Sequence, residues 1–327
     1  MHPAPLTWHT LLTTWRPAIG WDVVILGACA GYLVLVRRTR GWPGSRTAAF
    51  LTGLAALAIT LNSSIAVYAH PLFWVHMIEH LLLIMVVPVL LIAGQPLRLA
   101  GRRARRFLRS PPVAVATSVP AGFAGYTAVI TGTHLTSFMQ AMLTHPWIHQ
   151  LEIVLYLAGG LLFFLPLIAH EPLRWTVPYP LRMGILMLAM SVDTFVGLTL
   201  MLTTSEPWPG YATMRRSWQP TPLADLHGGG AIMWVGGDAL MFVLILVIAF
   251  AWATDHDRRD SLGGWLDAAR AGALAGTGGD PGARTGGAPA EALLGSTDID
   301  TDASALDAYN RLLADLAKRD GRDSRGG

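Results

Sequence analysis

Apolar residues gather along this chain into long runs separated by short polar stretches. Seven runs reach the roughly 20 residues that a helix needs to cross a hydrocarbon core. They fall at 19–36, 48–68, 74–93, 113–132, 147–169, 182–203 and 229–253. The pattern predicts an all-α polytopic membrane protein with seven transmembrane helices. Beyond residue 254 the runs stop. Residues 261–300 are rich in Gly, Ala, Asp and Thr and read as a disordered linker. Within 303–318, Leu306, Tyr309, Leu312, Leu313 and Leu316 recur at helical spacing and predict a short amphipathic helix. The expected organisation is an N-terminal segment 1–18, a membrane domain 19–253 and a tail 254–327.

Composition agrees with this pattern. The chain is 52% hydrophobic and 14% charged, where a soluble domain carries nearer a quarter charged residues. The N-terminus has neither a basic start nor a small-residue cleavage site before the first run, so that run is expected to be retained. Cys29 is the one cysteine, which excludes a disulfide framework and paired-cysteine metal sites.

Charge then orients the spans. Arg37, Arg38, Arg40 and Arg46 fill the first connection, and Arg98, Arg102, Arg103, Arg105, Arg106 and Arg109 the third. Arg174 and Arg182 mark the fifth, and Arg258 and Arg259 open the tail. The second and fourth connections hold no Lys or Arg, and the sixth holds Arg215 and Arg216. The positive-inside rule puts the N-terminus outside and the tail in the cytoplasm. The arginine clusters are topology signals, and no nucleic-acid partner is expected.

Orientation gathers the histidines. His70, His76, His80, His134, His145, His149 and His227 all fall at outer helix ends or in outer loops. Two segments stand out: His70-Pro-Leu-Phe-Trp-Val-His76-Met-Ile-Glu79-His80 and His145-Pro-Trp-Ile-His149-Gln-Leu-Glu152. Each carries His-x-x-Glu on the first turns of a span. Imidazole and carboxylate are costly in a bilayer and usually functional there. His76 and His80, one turn apart, share a helix face, and His80 lies only roughly 9 Å into its span by helical rise. His76, His80 and His149 are expected to form the core of a metal site. His70, His145, His227 and Met233 are its reserve ligands. The competing reading of any one of these histidines is an interfacial anchor beside Trp74 or Trp147. Glu79 and Glu152 are expected to orient the imidazoles or accept protons. Asp225, Asp193 and Asp238 are placed in the same supporting class, the last two as polar links between helices. His134, His2 and His9 read as solvated. Gly228, Gly229 and Gly230 would let backbones approach closely or let the helix end unwind.

These motifs resemble a known family. His76-Met-Ile-Glu79-His80-Leu-Leu-Leu, then Pro88 and Gly94-Gln-Pro96-Leu, is similar to the signature of the CtaG cytochrome c oxidase assembly factors, the multi-span type of Gram-positive bacteria. His145-Pro-Trp-Ile-His149-Gln-Leu-Glu152 resembles its second motif, and Leu223-Ala-Asp225 with Gly230-Ala-Ile-Met233-Trp234 its third. Ala308-Tyr309-Asn310-Arg-Leu-Leu is similar to the C-terminal piece of actinobacterial members. The likeness covers about residues 20–255 plus that piece. It implies a seven-span, non-enzymatic protein of the bacterial plasma membrane. Its role would be to deliver copper, Cu(I) in particular, to the CuB centre of the catalytic subunit of a haem–copper oxidase. One departure is Asp225-Leu-His227-Gly where many members have Asp-Gln-Gln-Leu.

Three other readings stay open. A membrane di-metal oxidoreductase uses paired His and Glu, but wants about four carboxylates. A haem protein would pair histidines across helices. An ion or metal transporter would line a path with Asp193 and Asp238. Self-association into a homodimer also stays open.

Overall fold

A computed structural model of the 327-residue chain describes residues 4–168, 177–214 and 217–254. The chain divides into two units, Met1–Phe250 and Ala251–Gly327, and only 251–254 of the second are described. The expected linker and tail helix lie outside the described residues, as does His2.

Among the described residues all regular structure is helical. Seven principal helices are α1 Ile19–Arg38, α2 Gly44–Asn62, α3 Phe73–Leu99, α4 Val119–His134, α5 Pro146–Ile168, α6 Tyr179–Leu202 and α7 Pro222–Thr254. Six of these, all but α4, are long and apolar enough to cross a membrane. The expected fourth span, 113–132, is not one helix. It divides into Pro111–Ala116 and the 16-residue α4. The cause is local. Ser118 is extended and its hydroxyl accepts a hydrogen bond from the Ala121 amide, while Pro120 favours a helix start. The second run is likewise cut at Asn62–Ser63–Ser64, where Ser63 caps a new helix Ser64–Ala69.

The α3, α5, α4, α6 and α7 helices pack as a closed ring in that order, with α2 against α3 and α1 against α2. Asn62 ties α1 to α2: its Oδ1 accepts from the Ala18 amide at 2.7 Å and its Nδ2 donates to Asp22 at 2.9 Å. More than half of the α3 window is buried, the largest share of any span.

Two irregularities shape the ring. Pro88 has no N–H to offer the carbonyl of Ile84 four residues earlier, and α3 runs as a π turn over Leu82–Val86. Gly160 of α5 sits against that carbonyl, where any Cβ would overlap Ile84 O. A second π turn, Ile232–Gly236, interrupts α7. The triple glycine ahead of it remains helical. A Cβ at Gly230 would stand 2.8 Å from Gly197 O of α6, and the reverse substitution meets Gly230 O at the same distance. The glycines therefore serve close packing, not unwinding.

Candidate metal centre

Inside the ring, the first turns of α3 and α5 face each other. Asp225 prepares α3 for this: its carboxylate accepts from the amides of Phe73 at 2.9 Å and Trp74 at 3.0 Å. An acid placed on the unsatisfied amides of a helix N-terminus stabilises that end. It also fixes the rotation of α3 relative to α7. Asp225 was expected to support imidazoles directly; it does so through the backbone that carries them.

Five side chains then converge. His76 Nδ1 lies 3.6 Å from Glu79 Oε2, and His76 Nε2 lies 3.5 Å from Glu152 Oε2. His80 Nε2 is 3.3 Å from Glu152 Oε1, and His149 Nε2 is 3.5 Å from Glu79 Oε2. The atoms form two groups, His76–Glu79–His149 and His76–His80–Glu152, each with its ligand atoms within 4.8 Å of one another. His76 belongs to both. The expected trio of imidazoles is brought together. The two carboxylates, expected to orient the imidazoles or accept their protons, lie 3.3–3.6 Å from imidazole nitrogens. The reason is the i, i+3 spacing: Glu79 and Glu152 turn toward the facing helix along with His76 and His149.

His76 is 0%, Glu79 and Glu152 are 1%, and His80 is 5% exposed. Both ring nitrogens of His76 and His80 and both oxygens of Glu79 and Glu152 are buried with no hydrogen-bond partner. Unsatisfied polar atoms at this depth are costly, and so many in one place need an explanation. Ligands about 2.0–2.2 Å from a shared ion stand about 3–3.5 Å apart. The shortest separations, 3.3–3.6 Å, are close to that spacing, within groups whose ligand atoms lie within 4.8 Å of one another. The set of nitrogens and oxygens fits a first-row metal such as copper.

His149 is the half-open member. It lines a cleft of about 610 Å³ with Glu79, His70, Arg16, Trp21 and Gln150. The cleft links the cluster to the surface. Burial above all, then the neighbouring imidazoles of His149 and His76, hold the His70 imidazole below its usual value of 6.5, and a backbone hydrogen bond with Leu143 offsets part of this.

The other expected ligands are elsewhere. His145 is exposed, with Nδ1 against Thr144 Oγ1 at 2.8 Å and Ala141 O at 3.2 Å. His227 Nε2 is within 2.9 Å of Thr203 O, so that nitrogen is engaged with α6 rather than the cluster. His70 reaches the cleft but is in neither group. Asp193 accepts from Tyr126 at 2.8 Å, joining α6 to α4, and Asp238 accepts from Thr194 at 2.8 Å, joining α7 to α6. Met233 is buried in a small cavity behind His80. His9 is exposed as expected. His134, read as solvated, is only 3% exposed. It was missed because no His or carboxylate stands at helical spacing from it on its own helix. The usable signal was Tyr126, Ile130 and Thr133, which put its face inward.

The sequence matches the family described as cytochrome c oxidase caa3 assembly factor, Caa3_CtaG, over residues 30–255. Uncharacterised proteins of Mycobacterium bovis and Mycobacterium tuberculosis are each 32% identical over 285 residues, covering 79% of this chain and 42% of theirs. One from Mycobacterium leprae is 28% identical over 276 residues, covering 78% and 42%. The chain thus spans less than half the length of these curated relatives. No solved structure matches it. It belongs to the family of cytochrome c oxidase caa3 assembly factors.

Proposed function

We propose that this protein holds copper at the His76–Glu79–His80–His149–Glu152 cluster and passes it to the CuB centre of a haem–copper oxidase catalytic subunit. The observation that carries the reading is the set of buried nitrogens and oxygens that have no partner except one another. The role is non-enzymatic: copper is cargo. The bilayer is that of the bacterial plasma membrane. The short α4, with the helix ahead of it, completes a seventh crossing, with the N-terminus outside and the tail inside. The His-bearing ends of α3 and α5 then face outward, as the arginine distribution requires. Imidazoles of an oxidase copper centre lie within the membrane, so a donor at similar depth can pass the ion by ligand exchange.

The test is metal analysis of the full chain in detergent, for wild type and His76→Ala/His80→Ala, with CuB content of the host oxidase measured alongside. The double variant should lose copper retention and leave the oxidase short of CuB, with haem content falling less. A variant that keeps full copper and supports normal oxidase overturns the reading.

One observation favours a second reading. His76 bridges two ligand groups, as in a di-metal oxidoreductase. Only two carboxylates serve both groups, fewer than a di-iron site wants. Bound iron with bridging-oxygen absorbance would select it.

A further inference from the structure

Behind the cluster lies chemistry that the carboxylate site does not use. His134 Nε2 is 3.3 Å from Met77 Sδ, and both side chains are buried. His134 Nδ1 lies 3.0 Å from the carbonyl oxygen of Ile130 on its own helix, 3.1 Å from Thr133 Oγ1 and 3.4 Å from Tyr156 OH. The carbonyl only accepts, and in the tautomer that donates to it Nε2 of the neutral ring is a bare lone pair. A thioether sulfur is also an acceptor, so in that tautomer two soft donors to a metal face each other.

Their surroundings are soft. Met77, Met85, Met233, His80 and His134 line one small space of about 10 Å³, with Tyr156 and Asp193 also on its wall. That is room for about one small particle, a water or an ion. Bonds of about 2.0 Å to nitrogen and 2.3 Å to sulfur that span this 3.3 Å gap would meet at about 100°, leaving a place for a third donor. Met85 and Met233 are the sulfurs in reach of that place. His80 lines this space and also faces Glu152 in the carboxylate cluster, 3.3 Å away.

We infer a second metal site, a thioether–imidazole site for Cu(I), formed by His134 Nε2 and Met77 Sδ and completed by Met233 or Met85. Its neutral donors suit a soft monovalent ion, whereas the two carboxylates of the outer cluster suit a divalent one. His80 is the wall that the two sites share. The identity of the ion rests on the copper reading above; the existence of a thioether site does not.

The experiment is X-ray absorption and chelator competition on the full-length protein in detergent, loaded with Cu(I) under reductant. Wild type should show copper–sulfur scattering. Met77→Leu, a near-isosteric change, should lose the scattering and one equivalent of Cu(I), while still binding a divalent ion at the outer cluster. Glu152→Gln should weaken divalent binding and keep the scattering. Ag(I), another soft monovalent ion, should compete for the thioether site in wild type and not in Met77→Leu. Absence of copper–sulfur scattering in wild type overturns the inference, as does a Met77→Leu protein with unchanged scattering. The contact is then an ordinary packing or N–H···S contact. If the scattering is present but oxidase copper is normal in the Met77→Leu and His76→Ala/His80→Ala hosts, the thioether site stands and the delivery reading fails.

Discussion

Glu152 ties α5 to α3 at a single position. Its two oxygens are buried 3.5 Å from His76 Nε2 and 3.3 Å from His80 Nε2. Removing one partner of a buried pair leaves the other uncompensated and is destabilising. Glu152→Gln should therefore lower the melting temperature of metal-free protein and also lower metal affinity at least tenfold, a scale typical of altered metal shells. A melting temperature equal to or above wild type without metal would show that the carboxylate is not paired. His70 offers a pH test outside the cluster. Its folded-state pKa is held below the unfolded 6.5 by burial. Protonation thus favours the unfolded chain, so this contribution to stability is full above pH 6.5 and is lost as pH falls below it. Melting curves from pH 8 to 5 should fall more steeply for wild type than for His70→Gln. At this scale much was legible. The i, i+3 and i+4 spacings named His76, Glu79, His80, His149 and Glu152. What spacing cannot show is which nitrogen meets which oxygen across two helices. His134 has no spaced partner at all, and its burial comes wholly from tertiary packing.

Helix identity followed from apolar run length, and helix breaks from capping chemistry that run length does not register. Pro111, Pro112, Ser118 and Pro120 were all visible, yet the apolar run across 113–132 hid the division at Thr117–Ser118. The π turn of α3 is similar: Pro88 is in the sequence, but that Gly160 would cover the Ile84 carbonyl is a fact of packing. Gly160→Ala puts a methyl group onto Ile84 O and within 2.7 Å of Pro88 Cγ. Overpacking of this kind costs about 1–3 kcal/mol, and it should widen α3 from α5. The variant is expected to melt lower and to retain less metal, although Gly160 touches none of the ligands. Asp225→Asn removes the charge from the α3 N-terminus and keeps one acceptor; it should cost about 1 kcal/mol, read as a lower denaturation midpoint.

For the whole molecule, the arginine asymmetry predicts which connections share a side of the membrane. Ser110 and Ser137 flank the helices around α4. With Cys29 removed, cysteine at 137 should label from outside and cysteine at 110 should not. The reverse pattern would turn the cluster toward the cytoplasm. The ring order of helices was not legible, because every apolar run offers a similar face until its neighbours are known. That order is what brings α3 against α5. These two helices meet in two zones of different kind. Near Gly160 and Ile84 they are backbone against backbone; about 12 Å away along α5 by helical rise, at Glu152, buried imidazoles and carboxylates lie between them. With the proposed copper bound there, the pair is a pair of tongs with a fixed pivot and a grip closed by what it carries. Thermodynamic reciprocity then governs unloading: a partner that spreads the gripping ends weakens the hold on the ion by the same factor by which the ion resists its docking.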